Sequence, residues 1–80
     1  MKKMEPIELN CVGLKCPRPI IEIAKLARKS PPETVVRITA DDLAFESDIR
    51  AWCETTGATL VNLSKIDKTC VATVELSKKG

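Results

Sequence analysis

Prolines at positions 17 and 19, and again at 31 and 32, bracket one stretch of this chain. Proline is tolerated in the first turn of a helix, where the N–H groups have no intrahelical partner, and breaks a helix further in. Between the two pairs the apolar residues recur with helical period. Pro17 to Lys29 is therefore predicted as a helix with Ile20, Ile23, Ala24 and Ala27 in one stripe, widened by Ile21 and Leu26. Arg18, Glu22, Lys25, Arg28 and Lys29 complete its polar side, and Ser30-Pro31-Pro32 stops it.

The flanking segments change period. Ile7, Leu9 and Cys11 alternate, as on one face of a strand, and Gly13 breaks that pattern into a loop. Glu33 to Ala40 reads as a second strand. Asp41 or Asp42 then supplies a cap for a second helix, in which Phe45, Ile49, Trp52 and Cys53 share a face. Gly57 is placed to end it. A strand at Thr59–Ser64, a turn around Lys65–Lys68 and a strand from Thr69 to Leu76 follow, the last with Cys70, Ala72, Val74 and Leu76 inward. The order βαβαββ, with right-handed crossovers, gives an α/β two-layer sandwich: a four-stranded mixed sheet with two helices on one face. At 80 residues and 44% hydrophobic content, residues 1–80 are expected to form a single small domain with a thin core and a frayed tail after Leu76.

Composition narrows the chemistry. The chain has no histidine, which removes the commonest general base and metal ligand and excludes Ser-His and Cys-His pairs. Its four cysteines, Cys11, Cys16, Cys53 and Cys70, lie five, 37 and 17 residues apart, with no CxxC. A zinc site would need all four to converge, so no metal and no cofactor are expected. No apolar run approaches the ~20 residues of a membrane span, and Met1-Lys2-Lys3-Met4-Glu5-Pro6 lacks the apolar stretch of a signal peptide. Reduced cysteines and a cytoplasmic location follow as expectations, without a membrane partner. A net charge of +2 and only two aromatic residues, Phe45 and Trp52, argue against direct nucleic-acid binding.

Cys16 stands where the loop meets the first helix. With Pro17 as the first helical residue, Cys16 is the N-cap, and the positive end of the helix dipole favours its thiolate. Pro17 and Pro19 lack N–H groups, so only those of Cys16 and Arg18 remain to stabilise the sulfur. The expectation is a moderately activated thiol. In a CxxC redox motif the resolving cysteine lies three residues after the nucleophile, and here that position is Pro19. A persulfide on Cys16 would have no partner there to expel its outer sulfur, which argues for holding and handing over sulfur. The plainer alternative is an ordinary small residue before a helix start.

The run Leu9-Asn10-Cys11-Val12-Gly13-Leu14-Lys15-Cys16-Pro17-Arg18-Pro19 resembles the signature of TusA/SirA-like sulfur carriers, in which a Gly-Leu pair precedes Cys-Pro-x-Pro. Asp41-Asp42, Asp48-Ile49, Trp52-Cys53 and Gly57 are similar too. The resemblance covers nearly the whole chain. It implies a persulfide on Cys16, supported by Gly13, Leu14, Pro17, Arg18 and Pro19, in a carrier of sulfurtransferase type and not a stand-alone turnover enzyme. It also implies a donor protein (a cysteine desulfurase, a rhodanese or a relative) and an acceptor protein in tRNA thiolation, molybdenum-cofactor enzymes or dissimilatory sulfur metabolism. The free carrier is expected to be a monomer. Three positions depart from the family pattern: Asn10 for the usual Asp, Val12 for a common Arg, and Leu43 where Pro often follows Asp-Asp.

Several residues carry two readings. Cys11 is a second relay or resolving thiol, or an inward core residue continuing Ile7 and Leu9. Cys53, Cys70 and Trp52 are read as core, with Trp52 alternatively at the edge of a partner surface. Lys15, Arg18, Lys25, Arg28 and Lys29 are a solvated face or a docking surface for acidic partners. Asp41, Asp42 and Asp48 are read as capping groups before a paired-carboxylate site. A Cys11/Cys16 thiol redox protein and a non-catalytic protein- or RNA-binding module are the alternative functions.

Overall fold

The computed structural model describes residues 6–15 and 18–76. Six elements follow in the predicted order: β1 Ile7–Cys11, α1 Arg18–Lys29, β2 Val35–Ala40, α2 Phe45–Thr56, β3 Thr59–Ile66 and β4 Thr69–Glu75. The sheet order is β1-β2-β4-β3. β1 runs parallel to β2, while β4 is antiparallel to both β2 and β3. The carboxyl ends of β1, β2 and β3 therefore point the same way, and the loops that lead into α1 and α2 leave from that end.

Period-2 patterning sets the buried face. Val36, Ile38 and Ala40 of β2 and Cys70, Ala72 and Val74 of β4, continued by Leu76, point into the core. Ile23 of α1 and Phe45, Ile49 and Cys53 of α2 close over them. Ile21 is 43% exposed and does not widen the α1 stripe as expected. Two residues advance a helix by more than half a turn, which puts Ile21 almost opposite Ile23. Leu26 does pack against the core.

Three strand boundaries differ from the sequence reading, the simplest being β4, which ends at Glu75 and not at Leu76. β2 starts at Val35, because Glu33 takes φ +67°, outside the strand region. The Glu33 N–H still reaches the Leu76 carbonyl at 3.2 Å, and the Leu76 N–H the Thr34 carbonyl at 2.8 Å, so pairing with the β4 end extends past the strand. β3 runs on through Lys65 and Ile66, leaving only Asp67 and Lys68 as the turn. Asp67 adopts φ +58°, as two-residue hairpins of the primed type require.

The start of α2 is a larger correction. Its N-cap is Ala44, with no side-chain cap. Neither Asp41 nor Asp42 caps it through a carboxylate. The Asp42 backbone carbonyl accepts the Phe45 N–H at 3.1 Å, and the first turn holds Glu46 and Asp48, whose charges suit the positive helix end. Gly57 ends the helix as expected, at φ +83° with its N–H on the Cys53 carbonyl at 2.9 Å.

Candidate functional site

The loop from β1 to α1 is built by short-range chemistry. Asn10 Oδ1 accepts the Val12 N–H at 3.0 Å, an Asx-turn that bends the chain as β1 ends. The Leu14 N–H then donates to the Cys11 carbonyl at 3.1 Å, closing a four-residue turn whose third residue, Gly13, has φ +91°. A positive φ there is the requirement that selects glycine in a type II turn. The Asn10 bond needs only a neutral carbonyl oxygen. Asparagine in place of the family's aspartate thus keeps an acceptor for the turn while removing a charge.

A second contact crosses between loops. Asp41 Oδ1, just past β2, accepts the Gly13 N–H at 3.0 Å. Asp41 therefore holds the loop that leads to Cys16. Its neighbour Asp42 keeps Oδ2 buried with no hydrogen-bond partner, close in sequence to the amino end of α2. Sequence reasoning found neither Asn10 nor Asp41 in these roles. The Asx-turn has a local signal, an Asn two residues before the N–H it holds. The Asp41 contact spans 28 residues and becomes visible only once β1 and β2 are paired, with Cys11 opposite Ala40.

Cys16 and Pro17 lie outside the described residues, so the expected N-cap position of the thiol and Pro17 as the first helical residue do too. The residues on either side are described. The Lys15 carbonyl accepts the Arg18 N–H at 2.7 Å. This corrects one expectation: the Arg18 N–H is engaged by backbone and is not a free donor for sulfur. Pro19 is fully buried, Leu14 is half-buried against the core, and Lys15 and Arg18 are exposed.

The other three thiols are free and buried. Cys11 has no exposed surface. Burial pushes its thiol pKa up from the ordinary value, and the negative charge of Glu22 adds to the shift. Burial also raises Cys53. Cys70 is raised mainly by burial and then by Glu46, with Lys65 and Arg50 opposing. Cys11, Ala40 and Cys70 are in register across three neighbouring strands. A strand thus separates the Cys11 and Cys70 backbones by about twice the 4.8 Å strand spacing, beyond the ~7 Å limit for a disulfide. Among the described residues no three His, Cys, Asp or Glu side chains converge on a metal position.

The basic residues do not form one cluster. Lys15 and Arg18 stand at the loop end, Lys25 lies 3.9 Å from Glu22, and Arg28 is about 15 Å from Arg18 along α1 at about 1.5 Å per residue. Arg28 instead lines a groove of about 600 Å³ with Ala24, Ala27, Trp52, Thr56 and Leu76. That groove sits at the opposite end of the sheet from the Gly13 loop. Trp52 is half-buried there and belongs to the groove edge as well as to the core.

Strand order and two helices over one face define a two-layer α/β sandwich, with a glycine-shaped loop feeding a helix that has a buried early proline. Residues 7–76 match the family model described as Sulfurtransferase TusA, and the chain belongs to that family. A protein of Archaeoglobus fulgidus named "Putative sulfur carrier protein" is 35% identical over 60 residues, covering 75% of this chain and 78% of that protein. A protein of Aquifex aeolicus with the same name is 30% identical over 72 residues, 90% of this chain, and this chain spans only 36% of its length. The crystal structure of a SirA-like protein from Desulfitobacterium hafniense superposes with a TM-score of 0.75 over 89% of this chain and 97% of that one. At 24% identity it shows the shared fold. No helix among the described residues is long and apolar enough to cross a membrane.

Proposed function

We propose that this chain is a cytoplasmic sulfur carrier that takes a sulfane sulfur from a donor protein as a persulfide on Cys16 and passes it to an acceptor protein. The observation that carries this reading is the sorting of the thiols. Cys11, Cys53 and Cys70 are built into the core with raised pKa values. Cys16 is the remaining cysteine, and it follows directly on the loop that Gly13, Asn10 and Asp41 shape.

In the transfer, the Cys16 thiolate attacks the outer sulfur of a donor persulfide, R–S–SH. The S–S bond of the donor breaks, R–S⁻ leaves with the electron pair, and Cys16–S–SH forms. An acceptor thiolate then repeats the step on Cys16. Each exchange is balanced without an added oxidant. Release of sulfide by an internal thiol would need a partner for Cys16. Pro19 occupies the CxxC position, and the Cys11 side chain is directed into the core with a raised pKa, which disfavours the redox reading.

The test is loading followed by intact mass. The protein is incubated with a cysteine desulfurase and cysteine, with a rhodanese and thiosulfate, and with inorganic polysulfide. A gain of one sulfur atom that persists in Cys11→Ala and is absent in Cys16→Ala is the expected result. Absence of the adduct with every donor refutes the proposal. A Cys16→Ser variant that keeps full biological activity would point instead to a binding module.

A further inference from the structure

The groove of about 600 Å³ lies between the last turns of α1 and of α2, at the end of the sheet away from the Gly13 loop. Its shape follows from a mismatch in side-chain size. Ala24 and Ala27, one turn apart on α1, line it together with Trp52 and Thr56, one turn apart on α2. Two alanine methyl groups are too short to close over an indole, and the ring stays half-buried. Pro31, Pro32 and Leu76 complete the apolar wall. These residues line one contiguous cavity, within the range of roughly 300–1,000 Å³ that holds small ligands.

The polar groups of the groove converge on one charge. Ser30 Oγ donates to the Leu26 carbonyl and Thr56 Oγ1 to the Trp52 carbonyl, each at 2.8 Å, so both hydroxyl protons are already engaged. Arg28 is the one charged side chain among the described residues lining the groove, and it has no ion pair with a described residue. Its guanidinium presents a planar fork of donors that matches a carboxylate. The carbonyl ends of α1 and α2 carry partial negative charge at this end of the molecule, which opposes an anion deep in the groove. A carboxylate therefore belongs at Arg28, with an uncharged body inside. The indole and the two proline rings offer flat apolar surfaces. A rigid aromatic ring covers them without the ordering cost of a flexible chain.

We propose that this groove binds a small aromatic carboxylate, with its ring against Trp52 beside Ala24 and Ala27 and its carboxylate on Arg28. The site is separate from the Cys16 end of the molecule and does not rest on the carrier reading above. Arg28 is exposed, so its pairing with the carboxylate is screened by salt and affinity falls as ionic strength rises. A bound ring touches both α1 and α2, and binding to the folded state alone raises the unfolding temperature.

Trp52 is the only tryptophan of the chain, so its fluorescence reads the groove directly. The probe is phenylpropanoate, titrated into the full chain at neutral pH. A saturable change in Trp52 emission is expected, with a matching rise in Tm. Phenylpropylamine, the same body with the opposite charge, should bind at least tenfold more weakly. Arg28→Gln should weaken the carboxylate about tenfold, as the loss of a charge-assisted pair does. Ala27→Leu places a larger side chain in the groove on a helix that favours leucine, and should abolish saturation. A change that does not saturate in the millimolar range overturns the proposal. So does equal binding of the amine, or undiminished binding by a folded Ala27→Leu. Wild-type affinity in Arg28→Gln overturns it as well, and that exposed position answers even where Ala27→Leu fails to fold. A wild-type dimer in light scattering that Ala27→Leu dissociates and the probe does not would assign the groove to a second copy of this chain and overturn the proposal too.

Discussion

Gly13→Ala isolates the backbone conformation of the loop before Cys16. Gly13 holds φ +91°, and a Cβ built there meets nothing within 4 Å. Steric crowding therefore adds no cost, and the penalty is that of an L-residue at positive φ, about 1–2 kcal/mol. If the loop relaxes, the Gly13 N–H also leaves Asp41 Oδ1. That bond is solvent-exposed, so its loss adds roughly 0.5–1 kcal/mol, at the low end for a hydrogen bond. For a chain of this size each 1 kcal/mol lowers Tm by about 4–8 °C. Urea unfolding at pH 7 reads the change directly, and the m-value should stay constant because the fold is kept. Gly13→Asn should cost clearly less, since asparagine tolerates positive φ. Repeating Gly13→Ala in an Asp41→Ala background separates the two contributions. A penalty smaller in that background by the value of the bond means that alanine breaks the contact, and additive penalties mean that it survives. A neutral Gly13→Ala, or an asparagine variant worse than alanine, would refute the turn assignment.

Four further outcomes follow from the thiols and the ion pairs. Native protein treated with iodoacetamide should lose one thiol quickly, at Cys16, while Cys11, Cys53 and Cys70 react at comparable rates only after unfolding; fast native labelling of Cys11 would contradict its burial. The raised thiol pKa values mean that the folded state holds its thiol protons more tightly than the unfolded chain. The stability they contribute is complete below about pH 9 and falls as pH rises further, so the urea midpoint should drop there, less steeply in Cys53→Ala. Glu46 is bonded to Lys65 at 3.1 Å and to Arg50 at 3.3 Å, which holds its carboxyl below the ordinary 4.5; an NMR titration should show that midpoint rise in Lys65→Met, and the linked stability is present above 4.5 and lost on acidification. Pro19→Cys should convert the carrier into a redox pair: the new thiol attacks the persulfide, sulfide leaves, and the mass shows a disulfide instead of an added sulfur, whereas a stable persulfide in this variant would count against the role given to Pro19.

Elements with one buried face were legible from the sequence. β4 alternates Cys70, Ala72, Val74 and Leu76 inward, and every one of these is buried. α1 has its start and stop marked by proline. The end of β3 was not legible, because Lys65 and Ile66 are both exposed at the sheet edge and no alternation is imposed there. Glu33 leaves strand geometry through its own positive φ, which glutamate does not announce. The Asp41 role was misread because an aspartate before a helix is a standard capping signal, and its carboxylate instead answers a glycine N–H brought close by strand pairing. Within the candidate site, Gly13 was readable as the break in the alternation of Ile7, Leu9 and Cys11. The engaged Arg18 N–H was not, since the sequence does not say which carbonyl a helix-start donor will find.

The most direct measurement of the central claim is cyanolysis of the loaded protein. Cyanide removes a sulfane sulfur as thiocyanate and leaves the carrier thiol behind. The carrier account predicts one thiocyanate per chain from the loaded wild type and from Cys11→Ala, and none from Cys16→Ala, although that variant retains three thiols. Thiocyanate from loaded Cys16→Ala at the wild-type level would place the sulfur on a core cysteine and contradict the account.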